Sequence, residues 1–137
     1  LARGLWCPVA SDVAGGHTAA MARSVTATVQ TSKLNWLDHH DQSPLPLAEA
    51  FYLATRGPGA FFGDVGAFLP GFDFDALVVR PSPLGALVER TPFERLEQFL
   101  YDGDDRNIAA RYCAGSLIPQ PFPEAAEQPL PVDAEPT

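Results

Sequence analysis

An α/β fold is predicted by three features of the 137-residue sequence. A short apolar run, a glycine-rich turn and a long amphipathic stretch open the chain, a period-two alternation appears after residue 65, and a fully signalled helix start stands at Thr91. Strands and helices each carry one apolar face or stripe, and interleaving them lets each bury the other's.

Leu5-Trp6-Cys7-Pro8-Val9-Ala10 reads as a strand buried on both faces, because sheets covered by helices on both sides carry continuous apolar runs. Pro8 counts against it, since proline cannot donate to a ladder. Ser11-Asp12-Val13-Ala14-Gly15-Gly16 is a polar, glycine-rich turn into residues 17–36, which read as a helix. Met21, Val25 and Val29 recur every four residues and Trp36 falls seven further on, whereas Arg23, Gln30 and Lys33 point elsewhere. Strand, tight turn and helix make one β/α unit.

Asp38-His39-His40-Asp41-Gln42-Ser43-Pro44 reads as a loop. Residues 47–55 then read as a second helix, with Leu47, Ala50, Phe51 and Ala54 on one side and Gly57-Pro58-Gly59 stopping it. After the Pro70-Gly71 turn, Phe72, Phe74, Ala76 and Val78 alternate with Asp73, Asp75, Leu77 and Val79, which predicts a strand. Thr91-Pro92-Phe93-Glu94 supplies an N-cap, a proline at the first helical position and a reciprocal acid, followed by Leu96, Phe99 and Leu100 at helical spacing. Ile108, Ala110 and Tyr112 alternate with Ala109, Arg111 and Cys113, and Ala114-Gly115-Ser116 turns the chain toward Leu117-Ile118, which suggests a hairpin. Residues 119–137 hold six prolines, four acids and no basic residue, the composition of a solvated tail.

Composition narrows the function classes. Seventeen acids against nine Lys plus Arg leave a charge of −8, which repels phosphate backbones and anionic lipid headgroups, so nucleic-acid and membrane-surface roles are disfavoured. No apolar run approaches the ~20 residues of a membrane span, and residues 1–10 lack a signal-peptide pattern, so the expected compartment is the cytoplasm. Cys7 and Cys113 form no CxxC pair and sit among apolar residues, which predicts buried structural thiols. His39 and His40 lie in an acidic loop and adjacent side chains diverge, so solvation suits them better than metal binding. Asp104-Asp105-Arg106 could be an acid/base pair, yet a structural turn before Asn107 fits better. Gly57, Gly59 and Gly63 do not form the GxGxxG of a phosphate loop and read as helix-stop and packing glycines.

Asp12 is the foremost candidate, because a carboxylate just past a strand and before a helix stands where α/β folds assemble their sites. On position alone, such a residue is more often a turn residue or a helix-start acid. Ser11-Asp12-Val13-Ala14-Gly15-Gly16-His17-Thr18, however, resembles the segment after the last barrel strand of guanine deaminases in the amidohydrolase superfamily. The resemblance continues in order through Gln30-Thr31-Ser32-Lys33-Leu34, Glu49-Ala50-Phe51-Tyr52-Leu53-Ala54-Thr55-Arg56-Gly57 and Phe61-Phe62-Gly63-Asp64-Val65-Gly66. It runs on through Phe72-Asp73-Phe74-Asp75-Ala76-Leu77-Val78-Val79 and Leu100-Tyr101-Asp102-Gly103-Asp104-Asp105-Arg106-Asn107, so that it spans residues 5–118.

The resemblance implies an incomplete α/β unit: residues 1–63 as the C-terminal part of a metal-dependent (β/α)8 barrel, and 64–118 as C-terminal strands of the flanking small β-sandwich. The 137 residues are too few for a whole barrel, which takes roughly 200 or more. It also implies that Asp12 ligates a divalent metal, zinc, and accepts a proton from the attacking water while guanine becomes xanthine and ammonia. The family's other ligands, four histidines, and its proton-shuttling glutamate match nothing here, so the chain by itself should be inactive. The implied partners are the remainder of the barrel, a purine substrate and a second copy in a homodimer. His17 follows the metal aspartate, where a helix-start or substrate-rim role is open. The alternatives are a sister aminohydrolase acting on another purine or a triazine, and a non-catalytic interaction module that kept the terminal fold.

Overall fold

The computed structural model describes residues 4–12, 14–80 and 88–119, in the order α1 (Met21–Asp38), α2 (Leu47–Ala54), α3 (Arg56–Phe62), β1 (Ala76–Val79), α4 (Pro92–Asp102), β2 (Ile108–Cys113) and β3 (Ser116–Ile118). Helices α1, α2 and α4 enclose the core. Val25 and Val29 from α1, Leu47 and Ala50 from α2 and Leu100 from α4 are buried together, with Leu45, Phe51, Ala54, Leu96 and Tyr101 packed around them. Each of the buried valines and leucines contributes ~1.5–3 kcal/mol. The helical stripe of α1 is thus met at Val25 and Val29, while Met21 and Trp36, assigned to the same stripe, stay 37% and 40% exposed.

Helix α4 is the element most fully encoded by local sequence. Thr91 Oγ1 accepts from the Glu94 N–H, and Glu94 Oε2 accepts from the Thr91 N–H at 2.7 Å, a reciprocal capping box with Pro92 at N1. Its other end is tied to α1, where the Arg23 guanidinium donates to the carbonyl oxygens of Tyr101 and Gly103, two of the acceptors a helix leaves without intrahelical partners. Gly103 is required by close approach, since a Cβ there would run into the Phe99 ring.

Gly57-Pro58-Gly59 does not stop a helix, contrary to the expectation from sequence. The break comes earlier, at Thr55 (φ −126°, ψ −93°), and the chain re-enters a helix, α3, that contains both glycines and the proline. Pro58 falls in the first turn of α3, where a backbone N–H has no intrahelical acceptor and its loss costs nothing. The glycines serve contact: a Cβ at Gly59 would lie 2.6 Å from the Val65 carbonyl oxygen. Arg56 holds this fold-back, donating to the Gly63 and Val65 carbonyls at 2.9 and 3.1 Å with its guanidinium 4.6 Å from the centre of the Phe72 ring.

The sheet is antiparallel with order β1-β2-β3. Strands β2 and β3 form the expected hairpin, with Cys113 paired to Ser116 across a two-residue turn in which Ala114 and Gly115 both have positive φ, as tight hairpins of this twist require. Strand β1 is shorter than the alternation predicts. It begins at Ala76 rather than Phe72, because β2 turns away at Ala114: the Ala114 N–H goes to the Asp75 carboxylate (2.8 Å) and the Gly115 N–H to the Phe74 carbonyl (3.0 Å) in place of ladder bonds.

Residues 5–10 form no strand, which corrects the opening expectation. A strand exists only with a ladder partner, and of these residues only Val9 places its N–H on a distant carbonyl, that of Leu53 at 2.8 Å; Trp6 Nε1 donates to the Gly57 carbonyl. Cys7 is accordingly exposed, not buried, since no sheet neighbour covers it; Cys113 is exposed as well, at the strand end beside the turn, and both thiols are free. The tail from residue 120 onward lies outside the described residues. Among the described residues no helix is long and apolar enough to cross a membrane.

Candidate active site

The turn carrying Asp12 is built by its own sequence. Asp12 has φ 62°, a left-handed conformation that Asp tolerates better than most residues, and its Oδ1 accepts from the Ala14 N–H at 3.3 Å. The chain then doubles back so closely that a Cβ at Gly16 would overlap the Ser11 carbonyl oxygen, and one at Gly15 would sit 2.7 Å from Asp12 Oδ2. Gly16 is therefore demanded by the backbone shape of the loop, while a side chain at Gly15 would push the Asp12 carboxylate aside. Because residues 14–17 are spent on this reversal, α1 begins at Met21 and not at His17. Thr18 Oγ1 accepts from the Ala20 N–H as the chain enters the helix.

Asp12 and His17 line one open hollow of about 590 Å³, bounded by Val9 to Ser11, the two glycines and one side of α1. That volume lies in the ~300–1,000 Å³ range of small-molecule sites. The α1 wall carries Ser24, Thr28, Thr31 and Asn35 with Ala27, a stripe of small polar residues separate from the buried valines. Sequence reasoning followed only the apolar stripe of this helix; the i, i+4, i+7, i+11 spacing of the polar one was equally legible. Thr28 and Ser32 turn their hydroxyls back onto the Ser24 and Val29 carbonyls, and Ser32 also accepts from Leu45 N–H, fastening the loop before α2.

The other candidates lie elsewhere. His39 and His40 follow α1, exposed, with the His40 ring edge-on to Trp36 at 5.2 Å. Asp104 is a structural acid. It accepts from the Arg106 N–H and guanidinium, the shortest contact being 2.6 Å, and so caps the 3-10 turn at Asp105–Asn107. Those Arg106 hydrogen bonds hold the Asp104 carboxyl below the usual carboxylate range and raise the Arg106 guanidinium in turn.

A metal ion would find one hard carboxylate donor in the hollow and an imidazole on the same wall, suitable in kind for a divalent cation but too few in number. Among the described residues no three His, Cys, Asp or Glu side chains gather as a ligand set, and catalytic sites ordinarily use three protein ligands. Any metal here needs donors from beyond these residues.

Comparison with known proteins gives this arrangement its context. The guanine deaminase of Dictyostelium discoideum is 31% identical over 115 residues, and that of Rattus norvegicus 34% over 119 residues, each match covering 79% of this chain. The crystal structure of the guanine deaminase from C. acetobutylicum, solved with guanine in its active site, superimposes with a TM-score of 0.74 at 44% identity, over 79% of this chain. The E. coli guanine deaminase superimposes at 0.66 and 29% identity, over 82%. The chain spans 26% of each of these relatives. The Amidohydrolase family model matches residues 1–118, and the chain belongs to that family.

Proposed function

We propose that this chain is the C-terminal part of a zinc-dependent guanine deaminase, converting guanine and water to xanthine and ammonia, with Asp12 as metal ligand and proton acceptor. One observation carries the reading: a chain similar to guanine deaminases places its Asp12 carboxylate on an open hollow, in a turn whose Gly16 the loop geometry demands. In this reading residues 1–63 belong to the end of the barrel and 64–118 to the flanking sandwich. The remaining ligands come from sequence outside these 137 residues.

The bound divalent ion supplies Lewis-acid activation of water. Asp12 would be one of the residues that hold the ion, and its carboxylate would be the group that accepts a proton from the attacking water and gives it to the departing amine. The Gly15-Gly16 reversal fixes the direction of that carboxylate. The exposed apolar residues, Phe61 and Phe62 on α3 and Leu34 and Leu37 on α1 among them, offer surface for the remainder of the barrel and for a second copy in a homodimer. The acidic charge fits a cytoplasmic enzyme with no nucleic-acid or membrane partner.

The test is Asp12→Asn in the complete protein, which keeps the turn's acceptor oxygen and removes the charge. Ammonia release from guanine is expected to fall by about 10²-fold or more, the scale of a lost proton-transfer group, together with metal content. Undiminished turnover refutes the assignment. A panel of purines and triazines run on the unmodified protein separates guanine deamination from the sister activities, and ammonia from none of them refutes the enzymatic reading.

A further inference from the structure

We propose that His17 is a substrate-contact residue of the Asp12 site, hydrogen-bonding the polar edge of a planar nitrogen heterocycle; this rests on the deaminase reading above. The glycine-enforced reversal carries the argument. With Gly16 folded against the Ser11 carbonyl, the chain does not run straight from Asp12 into α1, and residue 17 joins Asp12 in the lining of the same hollow.

Of the described side chains lining the hollow, Asp12 carries the carboxylate and His17 the imidazole; the rest are glycine, aliphatic, hydroxyl and amide groups. The hydroxyls of Thr28 and Ser32 are already engaged with carbonyls of α1. His17 is exposed and, among the described residues, no hydrogen bond, ion pair or ring contact holds its imidazole. One ring nitrogen of a neutral imidazole donates and the other accepts, which matches the alternating acceptors and donors along the edge of a purine-type ring. In the deaminase reading Asp12 serves the ion and the proton, so orientation of the substrate falls to other groups of the lining, and His17 is the ring side chain among them.

The experiment compares His17→Ala and His17→Gln in the complete enzyme. A contact made equally in ground and transition states raises KM and leaves kcat alone. His17→Ala is expected to raise KM for guanine about fivefold, the effect of one lost hydrogen bond, with kcat within about twofold. His17→Gln, which keeps a donor and an acceptor, should return KM to within about twofold of wild type, and metal content should be unchanged in both. An unchanged KM in His17→Ala overturns the proposal. So does a fall in kcat alone, or a loss of metal, which would make His17 a ligand. Retained kcat and metal content in the same samples exclude misfolding. If the unmodified enzyme turns over guanine while His17→Ala behaves like it, only this inference fails; if it turns over no purine, the deaminase reading fails with it.

Discussion

Replacing Gly16 by alanine tests whether the turn around Asp12 is a functional device. The new Cβ would overlap the Ser11 carbonyl oxygen and lie 3.3 Å from the Asp12 Cβ, so relief must come from the backbone of residues 11–16. Forcing a methyl group into a packed site ordinarily costs ~1–3 kcal/mol, and opening the turn to avoid that cost moves the Asp12 carboxylate. A displacement of about 1 Å in a catalytic group costs on the order of 10²-fold in rate. Gly71→Ala is the matched control: Gly71 has φ 88° with nothing within 4 Å of an added methyl, so it incurs backbone strain of ~1–2 kcal/mol far from the hollow. Urea midpoints and ammonia-release rates of the complete protein are measured for both. Comparable losses of stability are expected, with kcat falling about 10²-fold in Gly16→Ala only. Full activity in Gly16→Ala, or an equal loss in Gly71→Ala, refutes the reasoning.

Thr91→Ala removes both halves of the hydroxyl's part in the α4 capping box and should lower stability by ~1 kcal/mol in urea melts at neutral pH, without altering kcat. The backbone and side-chain hydrogen bonds from Thr91 hold the Glu94 carboxyl below its ordinary value of 4.5, so the stabilisation is present above that pH and is lost as pH falls through the depressed folded value. The difference between Thr91→Ala and wild type should therefore shrink below pH 4.5, and a constant difference down to about pH 2 would contradict the box. Phe61→Ser with Phe62→Ser, at 73% and 76% exposure, should reduce self-association of the 137-residue chain in light scattering yet destabilise the complete protein, where each covered ring is worth ~3 kcal/mol or more. Equal effects on the two proteins would show that these rings meet no partner.

What could be read from sequence was what short stretches decide alone. Thr91-Pro92-Phe93-Glu94 contains every atom of its capping box, and Ala114-Gly115 between alternating residues contains its own turn, so α4 and the β2–β3 hairpin stand where expected. The failures are at features settled by partners far along the chain. Gly57-Pro58-Gly59 looks like a helix stop until Val65 arrives beside Gly59 and makes the absence of a side chain a packing requirement. Residues 5–10 carry an apolar pattern, but a pattern does not supply a neighbouring strand, and Cys7 consequently lies exposed. Phe51 and Ala54 do pack with Leu47 and Ala50 on the core side of α2, as their spacing indicates. As for Asp12, its candidacy came from resemblance, because a carboxylate before two glycines has an ordinary role as a turn residue.

The contrast between these outcomes bears on how the site is held. Asp12 accepts from the Ala14 N–H and lies against Gly15 and Gly16, and the segment before it is anchored through Val9 to α2 and onward to α1, whose valines fill the helical core. Among the described residues, nothing in this chain of support uses the sheet, and no core residue lies on a strand. The cover over the hollow is a different matter: among the described residues six apolar side chains are buried in the core while eighteen large ones remain exposed. In the proposed reading the glycine turn helps direct the carboxylate, whereas burial of an ion, exclusion of water and completion of its ligand set would depend on surfaces brought from outside these residues. A site divided in this way predicts that substitutions in the Asp12 turn act on rate and metal retention with modest change in folding, and that substitutions on the exposed apolar faces act on assembly first and on rate only as its consequence.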